Sequence, residues 1–362
     1  MESLPPMHSP PRTYRLFSAK APLTLLGVSA VLITLMSSTL CARAQGTFRV
    51  LDTWKIGGEG GWDYLNVDPD AHLLYLTHGP RVEVIDTKTG KPVGAITGLK
   101  GTHGVVFDTD GKFGFVSDGR ANAVVVFDRH TFQVVATIPA GGNPDGMTFE
   151  PVTKTVWAFN GRTSDVTVID AAQWKVVATI KLAGRPEFPQ ADGRGMVFVN
   201  LESTNQIQRL DAKTLTSVGV WPLTGCDSPS GLAIDRDHRR LFSVCNGKKM
   251  IVTDADSGKV LASPTIGDGP DAASYDPAHQ LAFSSNGEGN LTIVDASDPN
   301  YKVLQTVTTR RGARTMTFDT GSNRAYLVTA EYGPAPAATA DNPRPRPSVV
   351  PGSFMVLVVG RD

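Results

Sequence analysis

Val82-Glu-Val-Ile-Asp-Thr-Lys-Thr-Gly-Lys91 alternates apolar and polar residues up to Asp86, turns at Gly90 and resumes as a second strand over residues 92–97. The same strand, acid, turn and strand recur with the aspartate at Asp128, Asp170, Asp211, Asp254 and Asp295, in steps of 42, 42, 41, 43 and 41 residues. A fixed period of this length, with only strand and turn signals inside it, marks a repeat architecture whose units bury their apolar faces against neighbours. A second register of acids, in the turn after each inner strand, runs Asp68, Asp108, Glu150, Asp192, Asp235, Asp276 and Asp319. Seven inner strands predict an all-β, seven-bladed β-propeller with four-stranded blades. These acids need no role beyond bonding their own turns.

The ends of the repeat explain each other. Residues 48–56 (FRVLDTWKI) read as a lone strand, matching the fourth strands at 133–139 and 175–181. The seventh repeat has strands at 315–319, 324–330 and 354–359 but no fourth. Pairing the lone strand into the last blade would close the ring and remove its open edges. One composition shift interrupts this, the proline-rich residues 333–352, read as a loop inserted in blade 7. It is either a tolerated surface loop or a semi-rigid cover over one mouth of the ring.

The chain of 362 residues is 41% hydrophobic with 36 Gly and 25 Pro, a composition of short strands and turns. Residues 1–44 read as a signal peptide: Arg12, Arg15 and Lys20 precede an apolar run at 21–40, and Ala42-Arg43-Ala44 is an A-x-A cleavage site. An uncleaved anchor is the alternative reading of that apolar run. Of 35 basic and 35 acidic residues, four and one lie in this segment, leaving 31 and 34 and a net charge of −3 on residues 45–362. That balance argues against nucleic acid as a partner. The expected protein is periplasmic or secreted, monomeric, with no membrane span after cleavage.

Propeller geometry brings two sets of loop residues to one face. The lead-in positions before each inner strand are Asp63, His103, Asp145, Glu187, Ser230, Asp271 and Arg314. The run-out positions after each second strand are His78, Asp118, Asn160, Asn200, Asn246, Asn286 and Glu331. All are polar, which predicts an axial funnel able to bind a ligand through Asp63, His78, His103, Asp118, Asp145, Glu187, Asp271, Arg314 and Glu331. No cofactor is certain, but His103, Asp145 and Glu187 are candidate ligands of a divalent cation, or acid and base groups. Asx-Gly pairs in the run-out set (Asp118-Gly119, Asn160-Gly161, Asn246-Gly247, Asn286-Gly287) have a plainer reading as turns with positive φ. Arg314 is expected to pair with Glu331 or an adjacent carboxylate.

Removing Cys41 with the signal leaves Cys226 and Cys245, both in blade 5 and brought together by its first hairpin. In an exported chain they are expected to form a disulfide, the alternative being two buried thiols.

The elements V-E-V-I-D-T-K-T-G-K (82–91), V-T-V-I-D (166–170) with K-V-V-A-T-I (175–180), and G-N-P-D-G (142–146) resemble the YVTN-repeat, YncE-like β-propellers of bacterial envelopes. The resemblance spans everything after Ala44 and implies this fold and export. It implies no uniform reaction, and the tyrosine of Y-V-T-N is mostly lost, as in Leu76-Thr77-His78 and Val116-Ser117-Asp118. Two functions follow as expectations: a binding or interaction scaffold for an unknown protein or small molecule, or a metal-dependent lactonase- or lyase-like enzyme using the funnel. A quinone-cofactor dehydrogenase is discounted, because the regular tryptophan after each turn is missing.

Overall fold

The computed structural model describes residues 46–337, 339, 345 and 347–361. Residues 1–44, expected from the sequence to be a signal peptide, and with them Cys41, lie outside the described residues, as does part of the proline-rich insertion. Residues Gln45–Asp362 form one compact unit. No helix among the described residues is long and apolar enough to cross a membrane.

Among the described residues, twenty-eight strands assemble as seven antiparallel sheets of four. Blade 1 is Trp62–Asp68, Leu73–His78, Arg81–Asp86 and Lys91–Ile96, and blades 2 to 6 repeat that order from Thr102 to Thr308. The repeat aspartate has a local cause. Asp86 Oδ1 accepts the amides of Lys88 and Thr89, and Asp128, Asp170, Asp211, Asp254 and Asp295 hold their own turns in the same way. Those amides, that of Thr89 foremost, hold the Asp86 carboxyl below the usual carboxylate range. Each acid therefore fixes the turn into an outer strand.

Blade 7 contains Thr315–Asp319, Arg324–Thr329 and Met355–Gly360, with Arg49–Lys55 from the start of the chain as its outermost strand. Arg49 pairs with Gly360 and Lys55 with Met355, across a bulge between Val50 and Asp52. Phe48 anchors the closure further. Gln305 brackets its main chain, accepting its N–H at 3.0 Å and donating to its carbonyl at 2.7 Å. Its ring meets Phe283 edge-on at 5.7 Å.

The core lies between blades, not within them. Leu74, Leu76 and Ile85 of blade 1 pack on Tyr326, Val328 and Val356 of blade 7, and every other seam repeats the pattern. Each such fully buried side chain stabilises the ring by roughly 1.5–3 kcal/mol, which is why no blade stands alone. Cys226 and Cys245 are joined by a disulfide, with Cα atoms 5.4 Å apart.

Candidate functional site

All seven inner strands face one axial cavity of about 420 Å³. At one end of it the lead-in residues converge. Their main chain is held by the preceding blade through a repeated contact. The Thr77 hydroxyl lies 3.1 Å from the His103 carbonyl, and Ser117 Oγ donates to the Asp145 carbonyl at 2.7 Å. Asn200 Nδ2 donates to the Ser230 carbonyl at 2.9 Å, Ser230 Oγ lies 3.0 Å from the Asp271 carbonyl, and Ser285 Oγ donates to the Arg314 carbonyl. Glycine permits the close approach: a Cβ at Gly146 would lie 2.5 Å from the Glu187 carbonyl oxygen, and one at Gly231 2.6 Å from that of Asp271.

The side chains so positioned come together across three successive blades. His103 Nδ1 lies 2.6 Å from Asp63 Oδ2 and 3.6 Å from Asp145 Oδ1. One donor atom from each of these residues fits within a 4.8 Å span, the arrangement a divalent cation needs. Such an ion would replace the proton on Nδ1. Glu187, expected from its place in the sequence to join His103 and Asp145 as a metal ligand, stands outside this set, and Asp63 takes its place. Arg314 Nε pairs with Asp271 Oδ2 at 3.2 Å, and Ser230 Oγ donates to Asp271 Oδ1 at 2.8 Å.

The mouth is short of positive charge, and its titration reflects that. Burial, then the charge of Asp63, pushes Asp145 up to about 7. Burial, then Asp145 and Glu202, pushes Glu187 up to about 9. Asp271 rises only to about 6, because Arg314 opposes the effect of burial. Burial pulls His103 down, but the bond to Asp63 and the charge of Asp145 outweigh it and its pKa is raised. Below them the Tyr64 hydroxyl is raised by burial and then by Glu187, Asp145, Asp63 and Asp271, so it sits in the field of all four acids.

The run-out positions behave differently. His78 is fully buried, stacked on Phe354 with ring centroids 4.2 Å apart, and lies 3.8 Å from Glu83 Oε1. Asp118 is buried and accepts the amides of Lys100 and Gly101, both at 2.8 Å, which fixes the loop leading to His103. Glu331 is exposed, 3.9 Å from Arg310, and does not meet Arg314. The strand register also moves three of these positions. Pro186 pairs with Leu201 and Pro229 with Cys245, as Pro144 pairs with Asn160. In blade 7, Met316 pairs with Leu327, so the equivalent residue is Thr329. The run-out ring is thus not uniformly polar: Leu201, Cys245 and Thr329 stand where Asn200, Asn246 and Glu331 were expected. Positive φ explains only Gly247 among the four Asx-Gly pairs. At Gly119, Gly161 and Gly287 the glycine amide instead donates to the lead-in loop, to Gly101, Asn143 and Gly269 carbonyls.

That shift uncovers a residue the sequence pattern did not single out. In blade 4 the glycine position is Glu202, whose amide donates to the Arg185 carbonyl and whose carboxylate pairs with the Arg185 guanidinium. Its charge raises Asp145, Glu187 and Asp271, so it belongs to the mouth. In the structural register an acid stands where blades 1, 2, 3 and 6 carry Gly79, Gly119, Gly161 and Gly287.

Comparison with known proteins agrees with the fold. No curated protein sequence matches the chain. Among solved structures it is similar to the Kuenenia stuttgartiensis hydrazine synthase (TM-score 0.65, 18% identity, covering 74% of this chain and 92% of that one). It is also similar to U3-55K (TM-score 0.68, 11% identity, covering 86% of this chain and 98% of that one). At such identities the likeness is one of fold alone. The YNCE-like beta-propeller family matches residues 53–189, the stretch that carries Asp63, His103, Asp145 and Glu187. The chain is a seven-bladed β-propeller, YNCE-like over residues 53–189.

Proposed function

We propose that this chain is an exported binding module whose axial mouth takes up a cation, with Asp63, His103 and Asp145 as ligands of a divalent metal ion. The observation that carries this reading is the convergence of those three donors from three blades within 4.8 Å. Glu187, Asp271 and Glu202 surround them, while Arg314 and Arg185 are each engaged by a carboxylate. A cation relieves the like-charge repulsion such a mouth contains. The test is isothermal titration of the purified chain with Zn²⁺, Mn²⁺ and Ca²⁺, alongside Asp63→Asn and His103→Ala. Stoichiometric uptake lost in both variants supports the reading; uptake by neither the parent nor its variants removes it.

Export rests on the A-x-A site at residues 42–44 and on the Cys226–Cys245 bridge, which suits an oxidising compartment. Mass spectrometry of the protein recovered from the periplasm or medium should give a chain starting at Gln45. A chain that keeps its first 44 residues contradicts cleavage.

A lactonase- or lyase-like enzyme is the second reading. It is favoured by the unequal carboxyl pair Asp145 and Glu187, raised to about 7 and about 9, a combination suited to base and acid roles. Turnover of a lactone panel, abolished in Glu187→Gln, would support it over simple binding.

A further inference from the structure

Off the axis, between blades 3 and 4, the mouth widens into a cavity of about 530 Å³ lined by Asn143, Asp145, Arg162, Arg185, Glu187 and Glu202. Its size suits a small molecule. Its charges are of both signs and only partly matched. Arg185 and Glu202 neutralise each other. Arg162 has no ion pair or side-chain hydrogen bond among the described residues, and Glu187 has none either. Asp145 has only His103, at 3.6 Å. The stem of Arg162 is nonetheless placed: a Cβ at Gly142 would meet Arg162 Cβ at 3.2 Å, so a glycine there gives it room along the wall.

We infer that this cavity is a site for a small zwitterion of the amino-acid class, with its ammonium between Asp145 and Glu187 and its carboxylate on Arg162. A molecule with an ammonium alone would leave Arg162 unmatched, and one with a carboxylate alone would leave Asp145 and Glu187 unmatched. A molecule carrying both charges satisfies every unmatched group at once, and a guanidinium binds a carboxylate through two parallel hydrogen bonds. Asn143 adds an amide that can donate to the same carboxylate. This inference deepens the binding reading given above and shares Asp145 with it.

The experiment is calorimetric titration of the full mature chain with L-serine, L-serinamide and N-acetyl-L-serine, which carry both charges, the ammonium alone and the carboxylate alone. L-Serine should bind, and serinamide and N-acetylserine should each bind roughly tenfold or more weakly, the cost of one unmade charged hydrogen-bond pair. Arg162→Met, at an exposed position, should weaken serine to the level of serinamide without weakening serinamide itself, and Arg162→Lys should restore part of the loss. Serinamide binding as tightly as serine, or serine binding that is absent or indifferent to Arg162→Met, overturns the inference. Mn²⁺ and Zn²⁺ titrations of the same samples keep the two readings apart. Metal uptake with no serine binding sinks only the zwitterion site, and serine binding with no metal uptake sinks only the metal reading.

Discussion

Tyr64 of blade 1 and Phe188 of blade 4 meet edge to face across the ring, with centroids 4.8 Å apart and planes at 72°. They lie between the carboxylates of the mouth and the polar lower channel, where Asn66 and Gln190 donate to the backbone of the next blades. Phe188→Ala should remove this partition and cost about 2 kcal/mol, less than a fully buried phenylalanine because Phe188 is only partly buried. Urea denaturation measures the loss. An unchanged midpoint would mean that the pair contributes nothing to the stability of the ring.

Stability should fall as pH rises from about 5 to 9. Asp145, Glu187 and Asp271 keep their protons in the folded chain to about 7, 9 and 6, whereas unfolded carboxyls release theirs near 4. Over that interval the folded state binds more protons than the unfolded one, so raising the pH favours unfolding. His103 acts in the same direction: with its folded pKa raised, its contribution is full below about 6.5 and disappears as the pH passes through the folded value. Glu187→Gln should therefore raise the melting temperature at pH 8 by roughly 2–4 °C, about 1 kcal/mol after allowance for solvent screening, with little effect at pH 5. A lower melting temperature at pH 8 in this variant would falsify the account.

Ring closure predicts a severe effect of a small deletion. Without residues 48–56, the edge of Met355–Gly360 is open and the seam with blade 6 loses Phe48. The truncated chain should self-associate in size-exclusion chromatography and melt well below the parent. Trp54→Ala, which removes the contact with Tyr326 at 5.5 Å, should cost about 1–2 kcal/mol without association. A monomeric truncation with the parent's melting temperature would refute the closure argument.

The disulfide should matter through the loop it closes. Cys226 and Cys245 are 19 residues apart, and a loop of that size stabilises by about 3 kcal/mol in the chain-entropy model. Ellman titration of denatured, unreduced residues 45–362 should find no free thiol. The double Cys→Ser variant should lose about 2–4 kcal/mol in denaturant titration.

Blade number, strand order and closure were legible because one aspartate in each of blades 1 to 6 performs one local task, capping the turn before an outer strand, while blade 7 lacks that turn and takes its outer strand from the start of the chain. The lead-in residues were legible for a similar reason, each standing at the start of an inner strand: Asp63, His103, Asp145, Glu187 and Asp271 are the second residue of theirs, Ser230 the fourth, and Arg314 the residue just before. Three of the seven run-out residues were not. A shift of one residue along a strand turns a side chain to the other face. In blade 4 the polar Asn200 imitated the pattern while reaching to Ser230 of the next blade, and Leu201 held the true position. Glu202 was lost in the same displacement. The burial of His78 was hidden too, because the residue that covers it, Phe354, arrives from the far end of the chain.

The contacts that steady the mouth grip main-chain carbonyls, at His103, Asp145, Ser230, Asp271 and Arg314, and not the side chains that would meet a ligand. Frame and chemistry are therefore separable. Except at Ser230, whose hydroxyl is itself the clasp on Asp271, side chains at these positions can be exchanged while the clasps beneath them stay intact, so a new ligand preference could be written around the ring one blade at a time without re-solving the fold.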